Sequence, residues 1–432
     1  MTQPSPPDPV ARETAERRAL PVALLLLLAA ATCAAVTTEM LPVGLLLSIS
    51  QGLHVSESQV GLLVSGYAAV VAVTSIPLAA VLERLPRRPV LAVVLVTYGI
   101  SNAVFAVSTS YGLALAARLV AGLAHAAFFA VVVSAAVALV PRARAGRAVA
   151  VVMSGTTVAL AAGVPLGTAL GTVLGWRWIF GGASVLLLLL AAAVIRRLPA
   201  TPPAAIAAGH QSVLAALRQR RLLLIAAVIA LFMIGHFTVY TYISPLLLYA
   251  GVTRVGVSAV LLGYGAAGIG GLVLAGSVAD RHPRAALSLT MGVMAACLTG
   301  LWLGHATVLT VIIVVIWGMT YGAVPTLTQS SALAAVPAAP DAGPAVVNAM
   351  TNVGISGGAL IGARELAAGP VPVLALTGAV LVAAALLLLA APLAGRAQRG
   401  PGRRRRRDGT SEGGSGRSSG SREGGLTSSS RR

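Results

Sequence analysis

Long apolar runs separated by short polar breaks dominate this chain, and they set its reading. Twelve runs stand out, at about 20–48, 57–82, 89–108, 111–140, 146–172, 176–198, 221–249, 255–280, 285–304, 306–335, 343–367 and 371–394. A helix needs about 20 apolar residues to cross a bilayer. The pattern therefore predicts an all-α integral membrane protein with twelve transmembrane helices. The first run begins like a secretory signal, with Arg17 and Arg18 ahead of Leu24 to Leu28. It continues past Cys33 to Ser48, too long for a cleaved signal, so an uncleaved first helix is expected.

Composition agrees. Of 432 residues, 57% are hydrophobic and 10% charged, and twelve acids are too few to hydrate a soluble protein of this size. All 31 basic residues are Arg. The net charge of +19 raises nucleic acid as a partner, but the distribution excludes it. Assigning loops alternately, with the N-terminus in the cytoplasm, puts 27 Arg inside and three outside (Arg177, Arg254 and Arg364), with Arg118 within a span. This positive-inside asymmetry predicts cytoplasmic termini in a multi-pass protein of the cytoplasmic membrane. Eleven Arg lie in the tail 396–432, which reads as a disordered Arg/Gly/Ser-rich cytoplasmic segment. Cys33 and Cys297 both fall in apolar runs, so neither a disulfide framework nor a metal site is expected.

The second and eighth runs match without gaps at an offset of 197 residues. Val60 aligns with Val257, Gly66-Tyr67 with Gly263-Tyr264, Glu83-Arg84 with Asp280-Arg281, Pro86 with Pro283 and Arg87 with Arg284. The chain thus reads as a cytoplasmic tail (1–19), a six-helix half (20–198), a cytoplasmic linker (199–219), a second six-helix half (220–395) and the C-terminal tail (396–432). Parallel repeats of this kind place a substrate site near the midplane between the halves.

These residues carry a resemblance. Gly276-Ser277-Val278-Ala279-Asp280-Arg281 resembles the loop motif of the major facilitator superfamily, and its first-half copy substitutes Ala79, Glu83 and Pro86 while keeping Arg87 and Arg88. Within the superfamily the chain resembles the twelve-helix drug:proton antiporters, near the chloramphenicol and arabinose-type efflux proteins. The residues behind this are Thr38-Glu39-Met40-Leu41-Pro42, Arg118 with Gly122, Gly163-Val164-Pro165-Leu166-Gly167 and Gly175-Trp176-Arg177. The resemblance implies that Glu83, Arg84, Arg87, Arg88, Gly276, Asp280 and Arg281 form a cytoplasmic gate. It also implies proton coupling at the Arg118 position. The Gly163-Val164-Pro165 order departs from the commoner adjacent Gly-Pro.

Glu39 is the only carboxylate well inside a run, and a charge at that depth is costly enough to imply a role. At about 1.5 Å per residue it lies roughly 13 Å below the outer end of its helix, and Arg118 lies roughly 10 Å deep in the fourth. Glu39 is expected to be the proton site, with Arg118 biasing its ionisation; a static ion pair is the alternative. His125, two turns from Arg118 on the same face, reads as a proton relay, a substrate ligand or a neutral histidine bonded to a neighbouring helix. His236 stands at the repeat position of Glu39, with Tyr240 one turn on. These two line the substrate cavity or make interhelical hydrogen bonds. Asn348 and Asn352 are weaker candidates of the same kind. Gly155, Gly163, Pro165 and Gly167 are expected to pack the fifth helix closely against neighbours.

The expected activity is efflux of a small, partly apolar molecule in exchange for protons. A proton-coupled sugar or nucleoside transporter is the alternative, disfavoured by the scarcity of Asn and Gln in the spans. No metal cluster, nucleophile–base set or phosphate loop is present, so neither enzymatic chemistry nor a cofactor is expected. The partners are the substrate, protons and the lipid bilayer, and a monomer suffices because two six-helix halves complete a pathway.

Overall fold

The computed structural model describes residues 21–82, 85–200, 220–278, 283–304, 306–335 and 342–390. Among them are twelve helices long and apolar enough to cross a membrane. In hydrocarbon no water is available for backbone groups, so a helix, which bonds its own, is the only open-ended element that can span. The helices are α1 (Val22–Gly44), continued by the short α2 (Leu46–Leu53), α3 (Glu57–Leu82), α4 (Arg87–Val107) and α5 (Tyr111–Ala138). The next span is composite: α6 (Ala145–Val158), a π turn (Ala159–Gly163) and α7 (Val164–Leu174), followed by α8 (Trp176–Arg197). The second set is α9 (Arg220–Tyr240) with the short α10 (Ile243–Tyr249), α11 (Arg254–Val278), α12 (Pro283–Leu303), α13 (Thr307–Ala335), α14 (Ala342–Ala368) and α15 (Val373–Ala390).

The repeat extends over both sets. Each span of the second set starts within one residue of 197 positions after its counterpart in the first. Local chemistry repeats with it. Ser56 and Gln59 form a reciprocal capping box before α3, with Ser56 N–H donating to Gln59 Oε1 (3.0 Å) and Gln59 N–H to Ser56 Oγ (3.2 Å). At the same offset Thr253 Oγ1 caps α11 by accepting from Gly256 N–H (3.1 Å). Many threonine and serine hydroxyls within spans return to their own helix, as when Thr32 donates to Leu28 O and Thr328 to Val324 O. Such bonds let apolar helices carry these hydroxyls with their donors satisfied.

Small residues set the packing. A Cβ on Gly155 would collide with Ala29 O of α1, one on Gly163 with Thr37, and one on Gly167 would stand 2.6 Å from a Leu41 methyl. The composite fifth span therefore lies directly against the helix that carries Glu39. Pro165 has no N–H to give, and the π turn precedes it, with Val164 N–H bonding Ala159 O five residues back. In the second half Gly354, Gly358 and Gly362 bring α14 against α9, and Gly271, Gly318 and Gly322 bring α13 against α11.

The halves meet along two seams, α3 against α14 and the π-containing span against α11. Ser65 Oγ donates to Ser356 O (2.8 Å), and Gly265 closes on the Leu160 carbonyl exposed by the π turn. Further out, at the ends bearing residues 54–56, 108–110, 175 and 250–253, Tyr242 packs onto Gly61 and donates to Ala359 O (2.8 Å). An apolar cluster joins Leu45, Ile49, Leu63 and Trp176 to Tyr242, Ala363 and Leu374 there. We call this the distal end. With the Gln51 amide oxygen turned toward it, Arg254 donates across the halves at 2.8 and 3.0 Å. Buried residues of α3 stop at Val71, eleven residues short of its proximal end.

Candidate functional site

Two clusters occupy the middle of the bundle, one in each half. In the first, Pro42 sits inside α1 and supplies no N–H, so the Thr38 carbonyl loses its ordinary intrahelical donor. Arg118 of α5 fills that vacancy. Its Nη1 donates to Thr38 O (3.1 Å) and its Nη2 to Glu39 O (3.2 Å). The guanidinium also lies 4.2 Å from the Tyr67 ring centre. Arg118 is 1% exposed and Glu39 7%, so both are buried.

Arg118 lies within electrostatic reach of the Glu39 carboxylate, but its hydrogen bonds go to the α1 backbone. Arg118 holds the backbone on which Glu39 rides. The Glu39 carboxylate faces His125, with Oε2 3.7 Å from Nε2. His125 stacks on Phe129 (4.6 Å) and meets the edges of Tyr67 and Tyr98. Its Nδ1 is buried and unpartnered. The Tyr98 hydroxyl donates to Ala35 O (2.9 Å), so its oxygen accepts the Tyr67 hydroxyl at 2.6 Å. Chemically, this half offers one buried carboxylate, an imidazole within ion-pair range and a fixed cation alongside. Such a set can take up and release a proton without assembling new groups.

The second cluster is aromatic. His236 is fully buried and accepts from Trp317 Nε1–H through Nδ1 (3.1 Å). Tyr321 stacks on it at 4.0 Å and Tyr240 at 5.2 Å, while Tyr264 packs on Tyr240 and Trp317. His236 Nε2 and the Tyr264 hydroxyl have no partner. Tyr321, only partly buried, lies within electrostatic reach of the Glu39 carboxylate in the opposite half.

The remaining residues singled out in the sequence fall elsewhere. Asn352 is buried and bonds Asn348 O (3.0 Å), whereas Asn348 is exposed. Arg87 donates to Ser134 Oγ (3.2 Å), Arg88 lines an apolar groove with Pro89, Val93 and Ile195, and Gly276 is exposed. Glu83, Arg84, Asp280 and Arg281 lie outside the described residues, as do the tails and residues 201–219. Sequence reasoning passed over Tyr98, Trp317 and Tyr321. A signal existed: with aromatics at 4% of the chain, a Trp and a Tyr four residues apart mark one helix face.

The chain matches the sequence profile of the Major Facilitator Superfamily over residues 27–363. It belongs to that superfamily. Solved structures agree on the fold. A bacterial homolog of the human lysosomal transporter Spinster, in an inward-facing and unoccupied conformation, aligns with a TM-score of 0.67 at 16% identity, covering 86% of this chain and 95% of that one. A variant of the nucleoside transporter NupG aligns with a TM-score of 0.68 at 12% identity, covering 85% and 99%. This superfamily member is accordingly a transporter and not an enzyme.

Proposed function

We propose that this transporter exports a small, partly apolar molecule from the cytoplasm in exchange for protons, by alternating access. Glu39 carries the reading. It is a buried carboxylate in mid-span, anchored through its backbone by Arg118 and facing His125, with the other half of the protein in electrostatic range. Intramembrane ionisable groups in such settings mark ion or proton pathways. The proton passes between Glu39 and His125, and cargo entering the space beside Tyr321 changes the water content and field around that pair. Exchange requires occupancy by cargo and by the proton to be mutually unfavourable, so cargo must bind more tightly once Glu39 has released its proton.

The Arg asymmetry favours cytoplasmic termini in the cytoplasmic membrane. With that orientation the closed distal end is the extracellular one, and cargo would load from the cytoplasmic side. Rocking of the two halves about the α3–α14 and α11 seams would reverse access, and the loop residues Glu83, Arg84, Asp280 and Arg281 would latch the cytoplasmic side in the opposite state. A single chain contains the whole pathway, so the working unit is a monomer.

The test is proton movement in inside-out vesicles holding an acid interior, across a panel of chloramphenicol-like drugs, sugars and nucleosides. A compound that releases lumenal protons from wild type but not from Glu39→Gln supports exchange at Glu39. Equal release in the variant removes Glu39 from the mechanism. Release by sugars or nucleosides alone would replace the cargo assignment with the polar alternative, and silence from folded protein across the panel would overturn exchange.

A further inference from the structure

The repeat allows each half to be compared with the other, position by position. Glu39, Tyr98, Arg118 and His125 of the first half have His236, Ala295, Val315 and Gly322 at the same offset in the second. Conversely Tyr240, Trp317 and Tyr321 stand where the first half has Val43, Val120 and Ala124. Ionisable groups are thus replaced by small or apolar ones, and small ones by aromatic rings. One tyrosine is shared, Tyr67 and Tyr264. The Tyr67 hydroxyl bonds Tyr98, but Tyr264 has Ala295 opposite that position, and its buried hydroxyl is left unpartnered.

His236 is not a second proton site. The Trp317 indole nitrogen can only donate, so His236 Nδ1 must be the accepting nitrogen, and the ring proton sits on Nε2. Taking up another proton would require Nδ1 to surrender the Trp317 bond. His236 is therefore a neutral donor in one tautomer, its Nε2–H buried and unsatisfied, walled by stacked rings. An unsatisfied buried donor is costly, and an acceptor brought by a ligand removes that cost.

Resting on the transporter reading above, we propose that the wall of Tyr240, Tyr264, Trp317 and Tyr321 around His236 is the cargo-recognition surface, and that it selects planar, uncharged aromatic molecules bearing a hydrogen-bond acceptor. The rings supply stacking faces, His236 Nε2–H meets the acceptor, and the Tyr264 hydroxyl is available to a second polar atom. Val315 and Gly322, at the positions of Arg118 and His125, leave no charge there to pair with an ionised ligand. Tyr321, the only part-buried ring of the four, lies within electrostatic reach of Glu39, so cargo stacked on it would come near that carboxylate.

Calorimetry on the purified full-length protein at pH 8, without any gradient, tests this with quinoline and indole. Both are neutral planar bicycles of similar size; quinoline presents an acceptor nitrogen, and indole only an N–H. Wild type should bind quinoline at least fivefold more tightly than indole. His236→Phe should bring the ratio close to one while retaining ring binding, and His236→Gln, which keeps a donor, should preserve it. Trp317→Phe, which frees the tautomer, should also erode the preference. Equal binding by wild type, an unchanged ratio in His236→Phe, or no binding of either probe would overturn the proposal. Because no proton flux is read, any of these results leaves exchange at Glu39 standing, and failure of exchange leaves the binding preference intact.

Discussion

Arg118 should stabilise this protein chiefly because Pro42 is present. The proline removes the N–H that would bond Thr38 O, and Arg118 Nη1 replaces it at 3.1 Å. The second half supplies an internal comparison, with Val239 at the proline position and Val315 at the arginine position, so both members are absent together. In Arg118→Met the Thr38 carbonyl is buried without a donor, a loss of about 1–3 kcal/mol. Loss of the guanidinium over Tyr67 adds about 0.5–2 kcal/mol. Relief from burying a charge works in the opposite direction, and intramembrane hydrogen bonds average only about 0.6 kcal/mol. A net loss of about 2 kcal/mol is the expected result. Pro42→Ala restores an N–H to α1, so Thr38 O regains its own donor and Arg118→Met in that background should cost about 1 kcal/mol less. The four proteins can be compared by reversible unfolding in mixed micelles of mild detergent and dodecyl sulfate. Additivity to within about 0.5 kcal/mol would refute the reasoning, because it would mean the arginine does not serve the carbonyl that the proline exposes.

Two further outcomes follow from packing and from the distal contact. Gly322→Ala sets a Cβ against the Gly268 backbone carbonyl, where neither helix can yield, and should cost about 1–3 kcal/mol or abolish the folded peak in size-exclusion chromatography; Gly276→Ala, with nothing within 4 Å, is the neutral control. Arg254→Ala removes the exposed bond to Gln51, worth about 0–1 kcal/mol, so spin-label distances between the distal ends of α5 and α13 should shift by up to about fivefold in population toward separation. An unchanged distance distribution would show that this contact does not hold the distal end closed.

The twelve spans were legible because a bilayer imposes a minimum length on apolar runs, and Arg clusters mark the breaks between them. The repeat was legible in the second and eighth spans, where Gly-Tyr and the Pro-Arg sequence recur, and less visible where positions diverged, as Tyr98 did from Ala295. Glu39 announced itself as a carboxylate in an apolar run. Its neighbours did not. Rise per residue gives depth but not azimuth: equal depth suggested Arg118, which lies within electrostatic reach of the carboxylate, while the helix faces also bring His125 to 3.7 Å from it. The role of Arg118 was written in Pro42, since a proline inside a span always leaves a carbonyl four residues earlier in need of a donor. Reading that vacancy required knowing that α5 passes beside α1, which hydropathy does not say. Trp317 and Tyr321 were obscured in the same way: a shared face is visible in the spacing, but the presence of His236 opposite it is not.

The two halves share their backbone plan and have divided the chemistry. A pair of identical halves would place equivalent carboxylates on both sides of the pathway, and two such charges would repel across a low-dielectric space. Here the repeat position of Glu39 is held by His236, whose tautomer is fixed by Trp317, so the second half offers hydrogen bonding and ring surface without a titrating charge. Glu39 and His236 consequently stand at matching positions of the repeat, and Tyr321 of the second half lies within electrostatic reach of Glu39. If cargo lies on this wall as proposed, dehydrating the carboxylate would by itself favour its protonated form, so exchange requires direct contacts that favour cargo beside the ionised Glu39. On the proposed arrangement coupling would need no relay through the helices, because cargo and proton would act on one shared space. Rocking of the halves, as proposed, would then serve only to change which side of the membrane that shared space faces.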